Sequence, residues 1–166
     1  MSDPIVDALE TLLTTDPQFV AELQALNLGT AGGVATPTVL RSNRRFEQIG
    51  QEHYPCFVID AGDGAGQDGG NDGGGDAAGL SLGSCSQDWA EDFDLAFVWI
   101  NQDHAASLGQ RRAVFTAVVR LLLRNPDLNR AVTLAYVAQA ANDSNQRHPT
   151  HFSSYVVRVH HTIHRD

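Results

Sequence analysis

The segment from Trp89 to Asn101 constrains the fold most, because it is amphipathic at its start and apolar on both sides at its end. In an extended strand, one face would carry Phe93, Leu95, Phe97 and Trp99, and the other Asp92, Asp94, Ala96, Val98 and Ile100. A strand that is apolar on both sides needs cover on both faces of its sheet. We therefore predict a strand that enters from solvent into a sheet covered by helices or by a partner.

The remaining elements follow from apolar spacing and from turn residues. Cap-then-proline signals at Asp3-Pro4 and Asp16-Pro17 predict two short helices, or one helix kinked at Pro17. Strands are predicted at 56–60, 132–136 and 155–164, a helix at 104–125, and a short extended segment at 36–40. The strands at 54–60 and 89–101 should pair as a hairpin. The predicted fold class is α/β (α+β), with helices packed on a four-stranded, mainly antiparallel sheet in the order α-β-β-α-β-β.

The connection between the first two predicted strands is far longer than a usual hairpin loop. Residues 61–85 are rich in glycine and contain Asp63, Asp68, Asp72 and Asp76. Glycine loses much entropy on ordering and the aspartates repel one another, so we expect a flexible loop in an isolated chain. The whole chain, 1–166, is then a single domain that carries this loop.

Charge is unevenly distributed along the chain. The net charge is −9, and no lysine or arginine lies between Arg45 and Arg111. Nucleic-acid binding requires basic charge that displaces counterions, so this balance argues against it. The pattern instead fits a molecule whose acidic and basic regions meet in neighbouring copies.

Several arginines are candidates for such contacts. Arg41, Arg44 and Arg45 form a small basic cluster, which is either solvated surface or a contact with an acidic neighbour. On the predicted helix at 104–125, Arg120 and Arg124 lie opposite an apolar arc. Arg111 falls within that arc, where we expect its side chain to reach out to solvent. The same arc contains Leu108, Val114, Phe115, Val118, Val119, Leu121 and Leu122.

Motifs that would indicate catalysis or metal binding are weak. Residues 79–83 match G-x-S-x-G, but a glycine-rich loop precedes the serine and a strand follows it, unlike a hydrolase elbow. Residues 69–73 resemble a single piece of a calcium-binding repeat, which needs stacked copies. Five histidines lie near the end of the sequence: His148, His151, His160, His161 and His164. In the predicted last strand, His160 and His164 share one face with Arg158, and His161 points the other way, which favours an exposed polar strand face over a metal site. We predict no enzyme, no cofactor and no metal site.

Neither a membrane span nor a secretory signal is predicted. The sequence lacks an apolar run of about 18 residues. Its first residues lack a basic and then apolar leader. We expect Cys56 and Cys85 to be reduced thiols of a cytosolic protein.

The layout of the chain resembles that of the tail-terminator (tail-completion) proteins of long-tailed bacteriophages, including Mu-like and lambda-like phages. The resemblance rests on the opening helix Asp-Pro-Ile-Val-Asp-Ala-Leu, the strand after Tyr54-Pro55, the long loop, the strand 93–100, the helix marked by Arg111 and the final strand pair. It covers nearly the whole chain and includes no diagnostic motif. The tract 61–83 is longer and richer in glycine than the family pattern.

The resemblance implies a structural virion protein without catalytic residues. Members form a homohexameric ring that caps the tail tube, stops its polymerisation and presents the surface that joins the head. The implied partners are copies of the chain, the tail tube protein and head–tail connector proteins, and DNA passes through without specific binding. The implied location is the head-proximal end of the virion tail, after synthesis in the bacterial cytoplasm.

Two further interpretations follow from this reading. Asp63, Asp68, Asp72 and Asp76 are candidates for a loop that lines the lumen or contacts the next subunit, and an acidic lumen would repel phosphate. Arg41, Arg44, Arg45, Arg120 and Arg124 are candidates for inter-subunit contacts. The alternatives are another head–tail joining or tube-associated subunit, and a non-viral binding module whose acidic loop binds a cation.

Overall fold

The described parts of the chain form two helices, three strands, a third helix and two further strands, in that order. The structure is a computed structural model that describes residues 3–26, 28, 38–41, 49–50, 53–60, 86–142 and 149–164. In these ranges the elements are α1 Pro4–Thr15, α2 Pro17–Gln24, β1 Thr38–Arg41, β2 Cys56–Asp60, β3 Ser86–Ile100, α3 His104–Arg124, β4 Leu134–Asn142 and β5 Thr150–His164. In these ranges no helix is both long enough and apolar enough to cross a membrane.

An aspartate caps the start of each of these helices. The Asp3 carboxylate accepts a hydrogen bond from the backbone N–H of Ile5 at 2.9 Å, and Asp16 accepts one from Phe19 at 2.8 Å. Asp103 does the same for α3. Such caps satisfy N–H groups that have no partner inside the helix. The extended backbone of Asp16 separates α1 from α2, so the first of the two predicted alternatives is correct.

The sheet has five strands in the order β1-β2-β3-β5-β4, so the prediction of four strands was wrong in this respect. The added strand, β1, overlaps the extended segment predicted at 36–40, and it pairs with β2 in parallel. The predicted antiparallel pairing of β2 with β3 is confirmed, with Phe57 opposite Phe97. The last two strands also pair antiparallel. The sheet is therefore mixed, with one parallel pair at its edge.

One face of the sheet is covered by the helices and forms the main core. Phe57, Phe97 and Trp99 are fully buried there, and their rings follow one another at centroid distances of 4.5 and 5.2 Å. The predicted inward face of β3 is confirmed, because Phe93 and Leu95 belong to the same core. This core joins all three helices to the sheet, as expected for a two-layer α/β arrangement.

Among the described residues, cover on the opposite face of β3 lies near the end of the strand. Val98 packs in a small second cluster with Ile49, Cys56 and Val58. Burial there raises the pKa of the Cys56 thiol to about 11. The predicted two-sided cover is therefore present at the end of β3, but the segment around Ile49 contributes it and the helices do not.

The helices follow the sheet from one edge to the other. Helix α1 contacts β1 and α2, α2 contacts α3, and α3 contacts β4. The two-layer molecule therefore has two lateral edges. We call them the α1/β1 edge, formed by α1 and β1, and the β4/α3 edge, formed by β4 and the flank of α3 that faces away from α2.

Candidate assembly surface

Arg41, a predicted inter-subunit contact, is occupied within its own chain. Its guanidinium contacts the carboxylates of both Asp7 and Glu10 on α1. These hydrogen bonds raise the pKa of Arg41. The side chains are 36–44% exposed, so the contact is weak in energy.

Arg120 and Arg124 also find acidic partners within the chain, on α2 and at its cap. Arg124 Nη2 lies 3.0 Å from Asp16 Oδ1, while Arg120 Nη1 lies 3.8 Å from Glu22 Oε2. Burial acts to raise the pKa of Asp16, but the Phe19 N–H and Arg124 hold it below its ordinary value. Asp16 thus joins the start of α2 to the end of α3.

The other predicted contact residues lie outside the described residues. These are Arg44 and Arg45 and the loop aspartates Asp63, Asp68, Asp72 and Asp76. Their roles stay predictions.

Arg111 and His151 form a buried pair under α3. Arg111 is 7% exposed and His151 is fully buried, so the prediction that Arg111 reaches solvent was wrong. Arg111 Nη2 lies 3.2 Å from His151 Nδ1, and His151 Nε2 lies 3.1 Å from the carbonyl oxygen of Asn101. Because a guanidinium can only donate, Nδ1 accepts and the ring proton is on Nε2. The apolar arc of α3 accommodates Arg111 because β5 supplies this acceptor.

His151 lies in the strand because β5 begins at Thr150, five residues before the predicted start. It shares the helix-covered face of β5 with Ser153 and Tyr155. His160 lies on the other face, half-buried, and stacks on Tyr136 with ring centroids 5.9 Å apart. The alternation of side chains along β5 therefore places His151 and His160 on opposite faces of the sheet.

The open part of the second sheet face carries carboxylates on neighbouring strands. Asp60 stands directly opposite Asp94, and Asp92 forms a two-pronged pair with Arg158 at 2.7 and 2.8 Å. Arg158 lowers the pKa of Asp92, whereas burial and the two neighbouring aspartates raise the pKa of Asp94. This face is therefore acidic: Arg158 neutralises Asp92, whereas Asp94 is repelled by the neighbouring aspartates.

The exposed large hydrophobic side chains of the described ranges all belong to α3 or β4: Leu108 at 52% exposure, Phe115 at 41%, Leu123 at 73%, Leu134 at 43% and Tyr136 at 38%. Leu134 and Tyr136 alternate with the buried Ala135 and share the face of His160, so they lie on the sheet face opposite α3. Isolated exposed apolar residues are ordinary, whereas a row of them along one flank of a helix favours an interaction site. The sequence signal for this surface was the width of the apolar arc on α3, which exceeds what the sheet covers.

β4 itself is an unprotected edge strand. It pairs only with β5 among the described strands, and its nine residues include no charge and no proline. Natural edge strands are commonly guarded by charged residues, proline or bulges, and here only a bulge between Val137 and Gln139 is present. Among the described strands, therefore, none pairs with the outer edge of β4, which runs alongside α3.

No group of three or more histidine, cysteine, aspartate or glutamate side chains that could hold a metal occurs in the part of the chain that the structure describes. Comparison with protein-family models and with curated proteins found no match for this chain.

Proposed function

We propose that the chain is a structural subunit that assembles with copies of itself into a ring, and that this ring is a phage tail terminator. In this role it caps the tail tube, stops tube polymerisation and provides the surface to which the head joins. The proposal is for a non-enzymatic protein of the virion tail, whose partners are its own copies, the tube protein and the head–tail connector.

The observation that carries the proposal is the row of exposed apolar side chains on α3, Leu108, Phe115 and Leu123, beside β4, which pairs only with β5 among the described strands. A monomer gains nothing from such an edge, whereas a subunit buries it on assembly. The element order adds support, since the helix, long connection, strand, arginine-marked helix and final strand pair on which the family resemblance rests all occur in the fold.

Electron microscopy of the purified chain, alone and with the tube protein encoded beside its gene, tests the proposal. We expect closed rings, either free or at one end of each tube, and tubes of limited length when the chain is present. Tubes that grow equally long with and without the chain, and that carry no ring, would refute the tail-terminator role.

A further inference from the structure

We propose that His151 is a pH switch. While its ring is neutral, it holds the N-terminal half of α3 on β5 through Arg111, and a proton on the ring releases that contact. The switch depends only on contacts within one chain, so it is independent of the proposed structural role.

Both nitrogens of the His151 ring are engaged in a way that only the neutral ring allows. Nδ1 accepts from Arg111 Nη2 at 3.2 Å, and Nε2 donates to the carbonyl oxygen of Asn101 at 3.1 Å. A guanidinium only donates and a carbonyl oxygen only accepts, so neither contact can reverse. A second proton can go only to Nδ1, where it would face an N–H group of Arg111 and place one positive charge beside another. The protonated ring must therefore break the Arg111 contact.

The described elements around His151 present few groups that carry charge. On β3 the residue opposite is Trp99, with ring centroids 5.4 Å apart, and β4 contains no charged residue. On β5, burial raises the pKa of Tyr155 to about 12, so its hydroxyl stays neutral in acid. At the start of α3, the exposed Asp103 accepts from N–H groups of its own helix. Within the described ranges, the charge in contact with the ring is therefore that of Arg111.

Arg111 lies at a junction of several elements. Gln110, the preceding residue, accepts from Trp99 Nε1 at 3.2 Å and from Asn101 Nδ2 at 2.8 Å. The Gln110 amide also donates to the carbonyl oxygen of Leu26, just after α2, at 3.1 Å. This turn of α3 thus joins the ends of β3 and α2 to the start of β5. Because Arg111 is only 7% exposed, water cannot readily replace an acceptor that its guanidinium loses. Protonation of His151 should therefore loosen the whole junction.

The size of the effect follows from the linkage of one proton to folding. In the unfolded chain the His151 ring has an ordinary pKa of about 6.5. The folded switch holds no second proton, so its stabilisation is present above that pKa and is lost as the pH falls below it. Between about pH 7.5 and about pH 5.5, the His151 ring alone should raise the ratio of unfolded to folded chain about tenfold.

Urea unfolding of the full chain at these two pH values, wild type against His151→Gln, tests the switch. Glutamine offers an acceptor and a donor in place of Nδ1 and Nε2, but it takes up no proton. The folding equilibrium constant should fall about ten times more for the wild type than for the variant. His160→Gln is the matched control, because His160 is half-buried on the other sheet face, and it should keep the wild-type pH dependence. Equal pH dependence in wild type and His151→Gln would overturn the proposal.

NMR of the wild-type chain with labelled histidine and tryptophan provides a second test that needs no variant. The ring signal of His151 is recognised by its proximity to Trp99. We expect it to stay at the neutral position down to about pH 5.5, well below the ordinary titration range. Any protonation at lower pH should shift the Trp99 indole N–H signal with it, because that N–H is bonded to Gln110. A His151 ring that titrates near pH 6.5 while the indole signal stays unchanged would refute the switch.

Discussion

Replacing Asp16 with alanine removes a helix cap and a link between two helices in one step. The carboxylate accepts from the Phe19 N–H at 2.8 Å, from Arg124 at 3.0 Å and from the Asn125 side chain at 3.3 Å. Loss of a cap costs about 1 kcal/mol. Loss of the contacts to the end of α3 adds about 1–2 kcal/mol, since the Asp16 side chain is only 12% exposed. We expect a total of about 2–3 kcal/mol, or a fall in Tm of about 5–10 °C.

Urea unfolding followed by circular dichroism measures this loss. Asp3→Ala is the matched control, because Asp3 caps α1 through the N–H groups of Ile5 and Val6 and has no arginine partner among the described residues. It should cost about 1 kcal/mol, the value of a cap alone. Equal losses for the two variants would refute the view that Asp16 links α2 to α3.

The same site predicts a dependence on pH. The pKa of Asp16 is lower in the folded chain, so the stabilisation from its charge is present above the unfolded pKa of about 3.9. It is lost as the pH falls through the folded pKa. Asp16→Asn keeps an oxygen for the Phe19 N–H, and its deficit relative to wild type should shrink in acid. A deficit that stays constant from pH 7 to pH 2 would contradict this account.

Three further predictions concern the core and the open sheet face. Phe97→Ala should lower the free energy of unfolding by about 3–5 kcal/mol, because the fully buried ring of Phe97 lies between those of Phe57 and Trp99. Urea titration measures this loss, and the loss would be smaller if the surrounding side chains collapsed into the cavity. Asp94→Asn should raise the free energy of unfolding at pH 7 by about 0.2–1 kcal/mol, because it removes repulsion with the directly opposed Asp60. The pKa of Asp94 is raised in the folded chain, so below about pH 4 its carboxyl is protonated in both states and the gain should vanish. Cys56 should resist thiol reagents at pH 8 in a Cys85→Ser background until the chain unfolds; rapid native labelling would contradict its burial.

Local patterns predicted the elements that carry strong periodicity. β3 and α3 were found close to their bounds because alternation in one and helical spacing in the other extend over many residues. β1 was missed as a member of the sheet because four residues carry little signal and its parallel partner is fixed only by tertiary contacts. β4 extends to Asn142 through an alanine-rich stretch of low strand propensity, which β5 holds by pairing.

Side-chain environments were harder to predict than elements. Arg111 lies within an apolar arc, and nothing in that arc indicates that a histidine forty residues later provides its acceptor. The arginines on β1 and α3 were predicted as contacts with another subunit, and the structure pairs Arg41 with acids of α1, and Arg120 and Arg124 with acids of α2 and its cap, in the same chain. Spacing identifies which face of a helix a residue occupies, but it does not identify the element that packs against that face.

The central pairing of the sheet has a consequence for biosynthesis. β3 and β5 pair along their whole lengths, from Ser86 opposite His164 to Ile100 opposite Thr150, so paired residues are between 50 and 78 positions apart in the chain. Contacts this distant give a high contact order and slow folding. During translation, the aromatic side chains of β3 leave the ribosome well before β5 exists to cover the strand. We therefore expect the nascent chain to need chaperone protection until β5 has emerged.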